Sequence, residues 1–249
     1  TTKPVHELFE PSHLEYEYDR PNDKAGEPSL TEMTEKAIDI VSQNKKGYFL
    51  MVEAGRIDHA HHEGNAFRAL TDIIELSNAV GAALKKVNLD ETLIIVTADH
   101  SHTLSFAGYP TRGNNILGLV RSNNSRGEPA ENLSLDLLGL PYTTLSYANG
   151  LGYTGATAAQ AAGAKKFPSS WAGFKPITAG RPDLRNTDTT SPNFLQEAIY
   201  PLRSETHGGE DVAIYADGAG AQLVRGVMEQ NWIFSVMTEA LGLGSKQLK

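Results

Sequence analysis

Two short clusters of carboxylates and imidazoles in this sequence have the residue types and spacing of a metal site. The first lies within residues 53–63, where Asp58 precedes His62 by four positions. On a helix, side chains four positions apart project from the same face, so this pair can chelate one divalent cation. The second cluster, residues 99–102 (DHSH), supplies one carboxylate and two imidazoles. Both clusters therefore have the chemistry to bind a metal ion.

Each cluster alone also has a simpler interpretation. Asp58 could cap a helix whose histidines face water, and Asp99 could cap the start of another helix. Unpaired charges at the edge of an apolar core are unfavourable by roughly several kcal/mol. Because both clusters follow predicted strands, their joint occurrence favours a metal centre over two separate caps.

A third contributor is His207, which lies in the glycine-containing turn 205–211 (ETHGGED). Catalytic zinc usually has three protein ligands and one open position. Asp58, His62 and His207 would complete one such set.

The remaining ligands are fewer than two further ions require. Asp99 and His100 are two ligands for a second ion, and Glu53 is one ligand for a hard cation such as Mg²⁺. Either water or side chains from outside this chain would have to complete these two sites.

The clusters require elements that bring them to one edge of a sheet. The apolar run 48–52 (YFLMV) predicts a strand buried on both faces, and a helical pattern continues from about Ile57 to Val87. A second apolar run, 92–97 (TLIIVT), leads directly into Asp99. A strand–helix–strand unit forms a parallel sheet, and ligands bind beyond the carboxyl ends of its strands. The sequence therefore predicts an α/β fold with both clusters at that edge.

Other elements flank this unit. A helix is predicted to begin at Ser29 or Thr31 and to continue to about Val41. A strand is predicted at 211–216 and a closing helix at 227–241, while residues 114–206 have weak periodicity and are rich in turn residues.

Composition excludes several classes of function. The 249 residues contain 22 Lys+Arg and 30 Asp+Glu, and the resulting net charge of -8 gives no electrostatic surface for nucleic acid. The sequence has no cysteine, so disulfide scaffolds, thiolate zinc sites and cysteine nucleophiles are excluded. No apolar run approaches the ~20 residues that cross a bilayer.

Three motifs in order along the chain resemble the alkaline phosphatase family, and the resemblance spans nearly the whole chain. They are residues 52–63 (VEAGRIDHAHHE), 97–102 (TADHSH) and 206–212 (THGGEDV). The resemblance implies a metal-dependent hydrolase of phosphate monoesters that uses two zinc ions, one magnesium ion and a phosphoserine intermediate.

The resemblance also implies a role for individual residues. It assigns Asp58, His62 and His207 to one zinc ion, Asp99 and His100 to the second, and Glu53 to magnesium. His59 and His102 would contact these ligands without binding a metal, and His59 indicates an animal-type metal environment. A calcium site would use the carbonyl of Phe9 together with Glu10 and Glu27, although these could equally be solvated acids in a proline-rich loop.

The main departure from the family is that its serine nucleophile, phosphate-binding arginine and bridging aspartate have no counterpart here. No catalytic residue is therefore expected in this chain, which resembles the C-terminal half of the enzyme. We expect this half alone to be inactive and to need the N-terminal half as a partner.

The fold implied by the family is a three-layer α/β/α sandwich with a largely parallel central sheet and an inserted crown-like subdomain. Residues 1–118 would form the metal-site core with an N-terminal loop region. Residues 119–205 would form a loop-rich segment that includes the crown-like insertion, at about 149–196, and 206–249 the closing strand and helix. Family members are dimers whose crown contacts the partner, so a homodimer is expected.

Location is predicted from the family and from two glycosylation motifs. The family is extracytoplasmic, so an extracellular or periplasmic protein is expected, with a lipid anchor at the cell surface as an open alternative. Sequons at Asn123 and Asn132 are consistent with a secreted glycoprotein.

Two other functions remain open. One is a catalytically inert fragment in which the same ligands only stabilise the fold or a dimer. The other is a phosphodiesterase or sulfatase related to the family, which relative turnover of monoesters, diesters and sulfate esters would distinguish.

Overall fold

The computed structural model describes residues 9–177 and 180–243 of the protein. Three predicted segments extend outside the described residues. The N-terminal loop region extends into residues 1–8, the crown-like insertion includes 178–179, and the closing segment includes 244–249.

The chain forms two compact units, each made of three separate stretches. Unit 1 consists of Thr1–Leu30, Val52–Leu76 and His102–Gly208, and unit 2 of Thr31–Met51, Ser77–Ser101 and Gly209–Lys249. The two units interleave along the sequence. The predicted segments 1–118, 119–205 and 206–249 are consecutive instead, and that division stays a prediction.

The described residues form four α-helices, nine short strands and two 3-10 turns, Arg20–Asn22 and Ala221–Leu223, so the chain contains both helices and sheets. In chain order the helices are α1 (Leu30–Val41), α2 (Arg56–His62), α3 (Ala66–Lys86) and α4 (Trp232–Ala240). The strands are β1 (Leu93–Thr97), β2 (Ser101–His102), β3 (Leu104–Phe106), β4 (Leu145–Gly150), β5 (Lys165–Lys166), β6 (Phe194–Leu195), β7 (Ala198–Pro201), β8 (His207–Gly208) and β9 (Ile214–Gly218). Among these residues, no helix combines the length and apolar character needed to cross a membrane.

The long helix predicted from Ile57 to Val87 is interrupted, which corrects the sequence-based expectation. Gly64 has a φ of 71°, a left-handed conformation that glycine adopts without a Cβ clash. Asn65 then caps α3, because its side-chain oxygen accepts a hydrogen bond from the Arg68 amide at 2.9 Å. The result is a short helix α2 that carries the first cluster, followed by the longer helix α3.

The strand predicted at 48–52 does not form, so the strand–helix–strand unit lacks its first strand. A strand is stable only beside a neighbour that completes its hydrogen bonds, and none of the described strands pairs with residues 48–52. Phe49 and Met51 are 60% and 74% exposed, although their apolar pattern predicts burial on both faces.

The other predicted elements of unit 2 form with shifted boundaries. The strand predicted at 92–97 is confirmed as β1, but the strand predicted at 211–216 lies at 214–218 and the closing helix is shorter than predicted. β1 and β9 pair antiparallel, with Leu93 opposite Gly218, whereas the resemblance implies a largely parallel central sheet. Thr97, the last residue of β1, and Ala213, just before β9, are 116 positions apart. A connection of this length is not a single crossover helix, so it does not fix the relative direction of the two strands.

Unit 1 contains a three-stranded mixed sheet in the order β3-β4-β7. β4 pairs antiparallel with β3 and parallel with β7. Leu145 and Tyr147 of β4 are buried, as are Leu184 and Leu195. A smaller cluster of Tyr16, Ala60 and Ala69 packs with Phe167 and contains the buried residue of helix α2.

Candidate metal centre

Helix α2 presents Asp58 and His62 on one face, as their spacing predicts. Ala60 lies between them in sequence but on the opposite side of the helix, where it is fully buried and packs with Tyr16 and Ala69. Asp58 and His62 are only partly buried. The Asp58 Oδ1 and His62 Nε2 atoms lie 3.3 Å apart.

His207 joins this pair from strand β8. Its Nε2 atom lies 3.4 Å from Asp58 Oδ1 and 3.2 Å from His62 Nε2. Two imidazole nitrogens and one carboxylate oxygen thus face one another, although His62 and His207 are 145 positions apart. The structure therefore brings together the three residues that the sequence groups as one ligand set.

His102 lies on the other side of Asp58. Its Nε2 atom is 3.0 Å from Asp58 Oδ1, and its Nδ1 atom is 2.7 Å from the Glu205 carboxylate. Burial lowers the pKa of His102, but the hydrogen bond and negative charge of Glu205, together with Asp58, raise the pKa above its ordinary value overall.

Asp99 and His100 lie close together in unit 2. His100 Nε2 is 3.4 Å from Asp99 Oδ2, and the His100 amide donates to Asp99 Oδ1 at 3.1 Å. The Asp99 side chain is 79% exposed. Ser101 donates its hydroxyl to Glu210 at 2.6 Å. The predicted meeting of this cluster with the first one stays a prediction.

The comparisons with known proteins identify the family. The sequence profile of the alkaline phosphatase family matches residues 1–243. The chain belongs to the alkaline phosphatase family. It is 40% identical over 238 residues to the tissue-nonspecific isozymes of alkaline phosphatase from Felis catus and Homo sapiens, which covers 96% of this chain and 39% of each relative. It is also 40% identical over 240 residues to the alkaline phosphatase of Gadus morhua, covering 96% of this chain and 43% of that relative.

The chain thus spans about two fifths of the length of the curated relatives it matches. Among solved structures, a mutant of TAB5 alkaline phosphatase overlaps with a TM-score of 0.45 at 19% identity, covering 86% of this chain and 41% of that chain.

The other residues assigned by resemblance to the alkaline phosphatase family have different surroundings. The His59 ring centre lies 4.2 Å from that of His13, and its Nδ1 atom is 3.3 Å from the Arg56 guanidinium. Burial, His13 and Arg56 lower the pKa of His59. Glu53 is exposed and belongs to neither of the ligand clusters found among the residues that the structure describes.

The predicted calcium ligands lie in the irregular segment before α1. Glu27 is buried, and its Oε2 atom accepts a hydrogen bond from the Glu15 amide at 2.8 Å. Its Oε1 atom is buried without a hydrogen-bond partner, which fits a carboxylate that binds a cation. Phe9 and Glu10 remain predicted ligands.

Two residues of the centre were missed by sequence reasoning. Glu205 is 1% exposed, and its carboxylate contacts His102 and Thr103. His61 Nδ1 and the Tyr147 hydroxyl form a hydrogen bond of 2.7 Å, and the His61 ring stacks on that of His102. Burial lowers the pKa of His61 to about 4. The only sequence signal was their proximity to predicted ligands.

Proposed function

We propose that this chain carries the zinc-binding part of a phosphate monoester hydrolase, an alkaline phosphatase. In this proposal Asp58, His62 and His207 hold one zinc ion. The observation that carries it is that the three ligand atoms are separated by 3.2, 3.3 and 3.4 Å. Ligands bonded to tetrahedral zinc at about 2.0–2.1 Å are about 3.3 Å from one another.

The hydrogen bonds of the ligands support the same proposal. The His62 Nδ1 atom lies 2.6 Å from the Glu205 carbonyl oxygen, which can only accept, so Nδ1 carries the proton. The lone pair is therefore on Nε2, the atom that faces Asp58 and His207. Zinc bound there would supply concentrated positive charge that stabilises a phosphate dianion and its leaving oxygen.

A chain with a net charge of -8 repels phosphate monoesters unless positive charge is concentrated at the site. In our proposal Asp58 and the imidazoles fix where that charge lies. We also propose a second zinc ion at Asp99 and His100 and a magnesium ion at Glu53. Their side chains are exposed or partly exposed and thus accessible to an ion.

We further propose that turnover requires the part of the enzyme that corresponds to the other three fifths of the relatives. That part would supply the serine nucleophile, which forms the phosphoserine intermediate, and the ligands that Asp99, His100 and Glu53 lack. The exposure of Phe49 and Met51 supports this, because a neighbouring strand would cover them. It would also complete the three-layer sandwich with its parallel sheet.

The remaining proposals concern assembly and location. We propose a calcium ion at Phe9, Glu10 and Glu27, contacts from His59 to the metal ligands, and a homodimer that uses the crown-like insertion. The side chains of Asn123 and Asn132 are exposed, as N-glycosylation requires. This exposure supports our proposal of a glycosylated protein in an extracellular or periplasmic compartment, either free or lipid-anchored.

Zinc titration of the metal-free chain tests the ligand set. Replacing Asp58, His62 or His207 by Ala should weaken zinc binding by about 100-fold or more, since each removes one of three ligands. His13→Ala is the matched control, because His13 is an exposed histidine that is not in the set. Binding by His207→Ala that equals the wild type would contradict the proposed site.

Substrate assays test the reaction separately. The purified chain with zinc and magnesium should show little turnover of p-nitrophenyl phosphate, whereas the complete enzyme should prefer this monoester to a diester or a sulfate ester. High activity of the isolated chain would refute the requirement for the other part.

A further inference from the structure

Glu205 is the most deeply buried acid beside the proposed zinc ligands. Its side chain has no solvent exposure. Oε1 accepts hydrogen bonds from the Thr103 amide at 2.6 Å and the Thr103 hydroxyl at 2.7 Å, and Oε2 lies 2.7 Å from His102 Nδ1. A buried carboxylate is tolerated only with such partners, so its position is closely determined.

The carboxylate determines which way the His102 ring faces. Because Oε2 accepts the Nδ1 proton, the opposite atom, Nε2, is directed at Asp58 Oδ1 at 3.0 Å. Glu205 is thus linked to Asp58 through one imidazole.

The backbone of the same residue holds His62. The Glu205 carbonyl accepts from His62 Nδ1 at 2.6 Å, and the Glu205 amide donates to the His62 carbonyl at 2.9 Å. One residue therefore orients two histidines that flank Asp58, one through its side chain and one through its main chain.

We propose that Glu205 is a positioning residue of the zinc centre, which holds Asp58 through His102 and holds His62 through its own carbonyl. The inference rests on the proposed zinc site and extends it to a residue that neither binds the metal nor touches the substrate. Carboxylates that orient metal-site imidazoles in this way change metal affinity by about 10–100-fold.

The alternative is that Glu205 is itself a ligand. His62, His102 and Glu205 each offer a ligand atom within 4.8 Å of the others. However, Oε1 already accepts two hydrogen bonds, and an ion on Oε2 would have to replace the His102 proton. The hydrogen bonds therefore favour positioning.

The test is a titration of the metal-free chain with Zn²⁺ and with Co²⁺, whose visible spectrum reports the ligands. Glu205→Gln keeps the size of the side chain but removes its charge and one acceptor. We expect zinc affinity to fall by about 10–100-fold while the Co²⁺ spectrum at saturation keeps the intensity of the wild type, because no ligand is lost. The control is Asp72→Asn, which alters another buried carboxylate of unit 1 outside the cluster and should leave the affinity unchanged.

A second pair of variants keeps the test informative if Glu205→Gln does not fold. Thr103→Ser retains the hydroxyl that donates to Oε1 and should bind zinc like the wild type, whereas Thr103→Val should lower affinity in the same direction as Glu205→Gln. Circular dichroism of each metal-free variant establishes that it is folded.

The outcomes separate the hypotheses. If His207→Ala loses zinc binding but folded Glu205→Gln and Thr103→Val bind zinc with the affinity of the wild type, the positioning role is overturned. A Co²⁺ spectrum of Glu205→Gln with altered intensity at saturation would identify a lost ligand and also overturn it. Zinc binding by His207→Ala with the affinity of the wild type would instead contradict the proposed zinc site itself.

Discussion

Among single side chains, Asp72 is the acid whose burial has a measurable consequence for stability. It is 9% exposed, and burial raises its pKa from 3.8 to about 6, against the lowering effect of the Glu17 amide and Arg56. Ionised Asp72 is therefore less favourable in the folded chain than in the unfolded chain.

This predicts a pH-dependent effect of Asp72→Asn. Well below pH 3.8 the carboxyl group is protonated in both states and costs nothing. As pH rises from 3.8 to about 6, ionisation favours the unfolded chain, so the folded wild type loses on the order of 1–3 kcal/mol that the Asn variant does not lose. Urea unfolding at pH 4 and pH 7 should show the variant gaining stability relative to the wild type at the higher pH. A difference that is the same at both pH values would contradict the raised pKa.

Single residues also show what sequence reasoning can and cannot find. The pairing of Asp58 with His62 is local, since one helical turn sets it, and the sequence predicts it. The importance of Glu205 comes from burial and from contacts with His62 and His102, which are 143 and 103 positions away. No local pattern encodes such contacts.

At the level of helices and strands, two glycines have opposite roles. Gly152 lies just after β4, and a Cβ there would be 1.8 Å from the Gln196 carbonyl oxygen. Gly81 lies within helix α3 and has no atom within 4 Å of such a Cβ. The first glycine is required by close packing, whereas the second only weakens its helix.

Alanine substitutions should therefore differ in sign. Gly152→Ala should destabilise the chain by about 2 kcal/mol or more, because the backbone must move to remove the overlap. Gly81→Ala should stabilise it by up to about 1 kcal/mol through helix propensity. Denaturant midpoints of the two variants measure both effects, and equal shifts in one direction would contradict this account.

The regular elements were predicted well where periodicity is local. Helix α1 and strand β1 lie close to their predicted positions. The break at Gly64 was missed because the apolar stripe continues across it, and the direction of β9 depends on a long connection. The run 48–52 has the composition of a buried strand, but its partners are not among the described strands.

For the chain as a whole, zinc should act as a stabilising ligand. Binding only to the folded state at 100 times its dissociation constant adds about 2.7 kcal/mol to the free energy of unfolding. The thermal midpoint of the wild type should rise with zinc and return after EDTA treatment. His207→Ala should show neither change, and a zinc-induced rise in that variant would indicate binding elsewhere.

The wide separation of His62 from His207 has a consequence for biosynthesis. The ribosome adds the 145 positions between them in roughly 7–30 s at ordinary elongation rates. During that interval the nascent chain presents Asp58 and His62 without their third companion. In the proposed site, zinc can bind all three ligands, and so close this long loop, only after residue 207 has been translated.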